Sequence, residues 1–390
     1  MKKYIKNIVP VAALLLTMGT ATSCVGDLDV TPINPNIQTG LNIDGLFNKC
    51  YANFALAGNG GANGDCDIDG IDGGTSGFVR QTFNANELPT DEAICGWGDD
   101  GIAGFCYNSY NASNPMLIGL YARITTGIAY CNQYLAEAGD QDATKLAEIR
   151  FLRAYEYFSL MDGWGNIPFT LQPLTKPERY TRAQVYEWLE KELLEIEPSL
   201  SDAKAKKSTD AGYGRVDKAA CWLLLSRLYL NAEVYTGTPQ WEKAKSYAKK
   251  VMDSSYKLNT KSVNGWSAYQ MLFMGDNGET DAAYEGIFPL LQDGLKTTSW
   301  GTTLFLLAST YDQDMHANPN NPSATNGTDQ AWGGNRARPD LVKKFFPNGN
   351  VPNLESYATA KAAGDDRALF NGVNRSLDND DVDTIKSGFA

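Results

Sequence analysis

Trp97 in CGWGDD, Trp300 in KTTSWGTT and Trp332 in DQAWGGN stand among glycines and small polar residues, with no hydrophobic stripe around them. A loop-borne indole of this kind has no core to fill, and its flat face suits the C–H face of a sugar ring. Arg80 and Asp100 flank the NELPTDE segment, Asn86 to Glu92, and are candidates for contacts to sugar hydroxyls. The same neighbourhood carries Glu87, Asp91 and Glu92. Glycoside hydrolysis would require two such carboxyls either about 5 to 5.5 Å or about 6.5 to 9.5 Å apart beside an aromatic cleft. His316 is the only histidine, so any Ser-His-Asp or Cys-His nucleophile must use it as base, and a multi-histidine zinc site is excluded. The DCDIDG run from Asp65 to Gly70 imitates the opening of an EF-hand loop. Its twelfth position is Ser76 where the closing bidentate glutamate is needed, which argues against calcium there.

The elements that position these residues begin after a targeting segment. Lys2, Lys3 and Lys6 precede an apolar run from Ile8 to Met18 that leads to Ala21-Thr22-Ser23-Cys24, the layout of a bacterial secretory signal ending at a lipid-accepting cysteine. The run is too short to span a bilayer, which takes roughly 20 apolar residues. The expectation is a signal over residues 1–23, a lipid on Cys24 and a polar leader over residues 24–40. Losing the signal removes three lysines and no acid, so a formal charge of −12 becomes −15. A surface this acidic makes nucleic acid a poor partner. With 43% hydrophobic and 21% charged residues, the chain can bury a sizeable core. Setting Cys24 aside leaves Cys50, Cys66, Cys95, Cys106, Cys131 and Cys221. They are expected mostly as buried free thiols, since a chain this long does not need disulfide staples.

Residues 59–104 are dense in Gly, Asp and Asn and read as a loop-rich insertion. Helical spacing then dominates. One helix carries Ile149, Leu152, Tyr155, Phe158 and Met161 and stops at Gly163, with Trp164 closing it; a second starts at Thr181, whose capping partner is Gln184. A pair follows from Asp217 to Asn231 and from Trp241 to Met252, joined by a turn at Gly237 to Pro239, with small residues facing aromatics as in helical repeats. Trp188, Trp222 and Trp241 are assigned to core packing on these helices. Residues 41–261 thus read as a mainly α, tetratricopeptide-like scaffold, and residues 262–390 as an irregular subdomain with short elements.

Several stretches together resemble the SusD/RagB family of outer-membrane glycan-binding lipoproteins: CVGDLDVTPINPN, NELPTDE, RFLRAYEYFSLMDGWGNIP, GRVDKAACWLLLSRLYLNAEVYTG, PLLQDG and KAAGDDRAL. The resemblance implies a cell-surface, lipid-anchored receptor that binds starch or maltooligosaccharide, is not an enzyme, and passes the glucan to a SusC-like TonB-dependent transporter. It places Trp97, Trp300 and Trp332 on the aromatic arc of starch-binding members, and Cys95 and Asp100 where such members commonly carry a tryptophan and an asparagine. It implies no required cofactor, allows a structural calcium with Gln292 as one conceivable ligand, and leads one to expect further chain beyond Ala390. The rival readings are a secreted hydrolase and a structural partner of the transporter with no sugar contact.

Overall fold

The computed structural model describes residues 41–58, 66–139, 142–295, 297–312, 330–377 and 380. The signal segment, Cys24 and His316 lie outside the described residues. Residues up to Leu46 form a separate unit, of which residues 41–46 are described, and the chain from Phe47 onward forms one compact unit.

The described elements run α1 (Ile43–Ala52), α2 (Phe78–Glu87), β1 (Ala93–Cys95), α3 (Ile102–Cys106), α4 (Pro115–Glu137), α5 (Ala143–Trp164), β2 (Ile167–Phe169), β3 (Glu178–Tyr180), α6 (Arg182–Ile196), α7 (Lys218–Leu230), α8 (Ala232–Thr236), α9 (Trp241–Met252), α10 (Thr303–Ala308), β4 (Asn335–Ala337), α11 (Pro339–Phe345) and α12 (Ser356–Ala363). The mainly α scaffold expected from the sequence is present. Helix α4 packs on α5, α5 on α6, and α7 on α9.

Capping residues start the long helices; the cap at Thr181 is the one the sequence names, and the helix from Pro115 to Glu137 is one the sequence reading does not include. The Asn114 side chain accepts from the amides of Met116 and Leu117 with Pro115 in the first turn, and Asp142 accepts from Thr144 and Lys145. Thr181 and Gln184 form the reciprocal box, and Asp217 accepts from Ala219 and Ala220. Such caps satisfy amides that have no partner within the helix, each stabilising by about 1 kcal/mol. The α5 helix runs one residue past Gly163 to Trp164 and ends at Gly165, whose φ of 74° a side-chain-bearing residue rarely adopts. Trp164 packs edge-on against Tyr121. Trp188 and Trp222 are partly buried, but Trp241 is 59% exposed at the first residue of α9, which corrects its assignment to the core. The turn before α9 contains the short helix α8, closed by Gly237 at φ 79°.

Helix α5 is buried on almost every side, from Ala147 through Met161. Arg153, only 6% exposed, donates to Asn132 of α4 and to Glu192 of α6 at 3.0 Å each. Burial alone would raise the Glu192 carboxyl, but the hydrogen bond from Arg150 and the charges of both arginines hold it below its ordinary value. The arginine therefore pins three helices at one point.

A second buried polar network lies between α4 and α5. Arg123 has no exposed surface; its Nε donates to the Ser76 carbonyl at 2.8 Å, its Nη atoms donate to Asn53, Ala57 and Ser76, and it pairs with Asp67 at 2.8 Å. Asn53 also donates to Glu156 Oε1 at 2.7 Å. The two side chains fit because position 127 is glycine: a Cβ there would lie 2.0 Å from Glu156 Oε1 and 2.3 Å from Asn53 Nδ2. Asp67, the second acid of the EF-hand-like run, is committed to Lys49 and Arg123.

Burial raises the Glu156 carboxyl well above its ordinary 4.5, with Cys131 adding to the shift. The folded chain thus holds a proton that the unfolded chain releases above about pH 4.5, so this group makes stability fall as pH rises from there. Glu156→Gln keeps the shape and removes the titration. The stability difference, variant minus native, is expected to grow with pH between 5 and 7 by up to about 1.4 kcal/mol per unit. Urea unfolding at pH 5, 6 and 7 measures it; a difference independent of pH would contradict the assignment.

Candidate functional site

The site is assembled by a two-stranded antiparallel ladder. Strand β1 pairs with β4 in the register Ala93 to Ala337, Ile94 to Arg336 and Cys95 to Asn335, and the pairing continues as Gly96 N–H donates to the Gly334 carbonyl at 3.0 Å. Trp97, two residues beyond β1, is thereby carried against Trp332, three residues before β4. Helix α10 joins them. The amides of Trp332, Gly334 and Asn335 donate to the carbonyls of Ala308 and Ser309 at its C-terminal end, and Trp300 lies just before its start.

The Trp97 and Trp332 ring centroids are 6.3 Å apart and those of Trp300 and Trp332 are 5.5 Å apart, at interplanar angles of 52° and 59°. All three rings are partly exposed. They are not equivalent. Trp97 leans on the core cluster of Leu88, Ile94, Ile102 and Phe105, meets Phe305 of α10 edge-on, and donates its Nε1–H to the Trp332 carbonyl at 3.1 Å. It forms the rear of the cluster, with Trp300 and Trp332 in front.

Two close approaches fix this arrangement. A Cβ on Gly334 would sit 2.1 Å from Trp97 Cε2, so the indole occupies the space where any other residue has its side chain. A Cβ on Gly77 would lie 2.6 Å from the Gly301 carbonyl oxygen, and the Arg80 amide donates to that same oxygen at 3.0 Å. The N-terminal turn of α2 is thus seated on the backbone that follows Trp300. Gly77 is held in turn through Ser76, whose carbonyl and hydroxyl accept from Arg123. The buried arginine of the scaffold is thereby linked to the aromatic cluster through Ser76, Gly77 and Gly301.

The sequence treats Arg80 as a hydroxyl contact; the structure gives it other partners. It is 8% exposed, donates to the Gly74 carbonyl and pairs with Asp99 at 2.5 Å, with its guanidinium 5.2 Å from the Trp97 ring and 5.5 Å from that of Phe305. A cation over an indole face is attracted by the ring quadrupole, so Arg80 steadies Trp97. Asp99, which the sequence reading passed over, is its counterion, while Asp100 is exposed on the following residue. Cys95 is in the ladder, 1% exposed, and burial pushes its thiol up to about 12. It fills core volume and offers neither a platform nor a nucleophile. The six thiols from Cys50 onward are unpaired, and of these Cys66 alone is partly exposed.

Glu87 and Glu92 come into hydrogen-bond contact. Burial raises the Glu87 carboxyl first, and the neighbouring Glu92 charge raises it further. Two carboxyls in contact leave no gap for a sugar ring or a water between them, which glycoside hydrolysis requires. The Gln292 side-chain nitrogen donates to the Ala55 carbonyl and the Thr302 hydroxyl. Its amide thereby braces the residue just before α10, and among the described residues no cluster of three or more His, Cys, Asp or Glu side chains could hold a metal.

Residues 91–230 match a family model described as SusD-like, starch-binding, associating with outer membrane. Starch-binding protein SusD of Bacteroides thetaiotaomicron is 37% identical over 424 aligned residues, covering 99% of this chain and 73% of that protein. Among solved structures, a SusD-like protein of Bacteroides fragilis superposes with a TM-score of 0.54 at 18% identity, over 77% of this chain and 52% of the other. Surface glycan-binding protein A of Bacteroides thetaiotaomicron, solved with laminarihexaose, superposes with a TM-score of 0.56 at 18% identity, over 82% and 64%. The chain therefore spans about half to two thirds of the length of these two structures.

Proposed function

Because this chain belongs to the SusD-like family, starch-binding proteins associated with the outer membrane, we propose that it captures α-glucan chains at the cell surface on Trp97, Trp300 and Trp332. In this reading Cys24 carries the lipid anchor, and a SusC-like TonB-dependent transporter receives the glucan. The convergence of three partly exposed indoles from segments distant in sequence carries the proposal. Rings inclined at 52° and 59° to their neighbours make a bent platform, which suits a curved chain better than a flat ribbon. Asp100, exposed beside the cluster, is available to accept from sugar hydroxyls. Arg80 contributes by positioning Trp97.

Each ring that stacks on a sugar stabilises the complex by about 0.5 to 1.5 kcal/mol beyond area burial. Such a site is weak for a short oligosaccharide. A polymer compensates by presenting many equivalent turns to receptors held on one surface. Trp300→Ala and Trp332→Ala are each expected to weaken binding roughly 2- to 10-fold, by the same increments converted through RT. Mobility in starch-containing gels tests this. A purely structural partner of the transporter would show no retardation in starch, and a hydrolase would release reducing sugar; the contact between Glu87 and Glu92 speaks against the latter.

A further inference from the structure

Away from the residues just described, Trp266 and Tyr357 flank a cavity of about 310 Å³ that is also lined by Ser262, Ser267, Lys361 and Asp366. Trp266 is 39% exposed and Tyr357 45% exposed, and their rings meet edge-on with centroids 5.0 Å apart. Leaving so much aromatic surface in water is unfavourable by roughly 25 cal/mol for each Å² that a ligand would otherwise cover. The pair is nevertheless rigidly built. Asn264 and Gly265, at φ 51° and 87°, form a two-residue hairpin turn closed by reciprocal hydrogen bonds between Val263 and Trp266 at 3.1 and 2.9 Å. Asn-Gly is the dipeptide that this turn prefers, since both positions need positive φ. Tyr357 donates its hydroxyl to the Gly265 carbonyl at 3.2 Å and so locks its ring to the turn.

Lys361 lies one helical turn beyond Tyr357 on α12, and Asp366 two residues after Gly364 ends that helix. Neither side chain has an ion pair or hydrogen bond among the described residues, so a donor and an acceptor of opposite charge both border the cavity. An anionic ligand would meet Asp366 and a cationic one Lys361, whereas a neutral polyol satisfies both. An indole face, a phenol and a charged donor and acceptor around a space of this size match one or two neutral pyranose rings.

We propose that this cavity is a second carbohydrate-binding site, taking a neutral pyranose of the same polysaccharide that the Trp97, Trp300 and Trp332 cluster holds. It rests on the reading above that the chain binds a polysaccharide. It goes beyond it in making the receptor bivalent, so that one polymer bridging both sites dissociates more slowly than from either alone.

The test is affinity electrophoresis of the native chain, Trp266→Ala, and a Lys361→Ala and Asp366→Ala double variant in gels containing starch, dextran, levan or xylan. The double variant changes exposed side chains only, so it remains informative if Trp266→Ala fails to fold. For whichever glycan retards the native chain, both variants should weaken retention by roughly 3- to 10-fold. Variants that match the native chain within twofold overturn the second site and leave the first untouched. Retention by levan or xylan and by neither starch nor dextran, still weakened by both variants, overturns the α-glucan reading and keeps the second site. A native chain retarded by none of the four overturns both.

Discussion

Arg123→Ala is expected to destabilise the fold by about 3 to 5 kcal/mol, the cost of stranding the partners of a buried charge. Arg123 has no exposed surface, and its guanidinium serves Asn53, Ala57, Ser76 and Asp67 at once. Removing it leaves the Ser76 and Ala57 carbonyls without their donor and the Asp67 carboxylate without its inner cation. The hydrogen bond from Lys49 and the charge of Arg123 hold the Asp67 carboxyl below its ordinary 3.8 against the opposing effect of burial. The Arg123 contribution is therefore present at neutral pH and lost as pH falls through the lowered value. Urea unfolding at pH 7 measures the loss. A midpoint within experimental error of the native one would show that the network adds nothing net. Because Ser76 precedes Gly77 and the α2 turn that cradles the Trp300 loop, a folded remnant of this variant should also bind glycan less well.

Gly334→Ala is expected to cut glycan affinity by roughly 5- to 150-fold while leaving the long helices intact. The added methyl would stand 2.1 Å from Trp97 Cε2, a separation no pair of carbons tolerates, so the indole must leave. As it leaves it gives up its hydrogen bond to the Trp332 carbonyl and its place beneath Arg80. Trp332, and Trp300 which meets it, then lose the ring behind them, so both stacking rings are misplaced. At about 0.5 to 1.5 kcal/mol each, that loss is about 1 to 3 kcal/mol. Affinity for maltoheptaose by calorimetry, with far-ultraviolet circular dichroism as the control for fold, measures it. Unchanged affinity would show that Trp97 does not need its present position for binding.

How legible all this was in the sequence depends on whether the signal was local. The cap at Thr181 was legible because a capping side chain acts on amides two or three residues away. Glycine and small polar neighbours single out the three loop tryptophans in the sequence, but they do not show that Trp97 leans on the core cluster of Leu88, Ile94, Ile102 and Phe105. Helix α2 was not legible, since the faces it buries include Arg80, Gln81 and Asn84, polar residues made tolerable by hydrogen bonds to the Gly74 and Thr75 carbonyls and to one another instead of by an apolar stripe. The loop-rich insertion expected over residues 59–104 accordingly contains a helix and a strand. The sequence offers Arg80 as a hydroxyl contact, whereas its place between Asp99, Phe305 and the Trp97 ring depends on the β1–β4 ladder, which joins segments about 240 residues apart. The requirement for glycine at 334 has the same origin. Helix α10 falls in the stretch read from sequence only as irregular with short elements, because its role is to join two rings that the sequence separates.

The central claim is that glucan rings lie on Trp300 and Trp332 with Trp97 behind them. A crystal structure of the chain with maltoheptaose tests it most directly. The account predicts a curved glucan whose C–H faces contact the Trp300 and Trp332 indoles at van der Waals distance, with Arg80 still paired to Asp99 beneath. A glucan seated elsewhere with those two rings uncovered would contradict it.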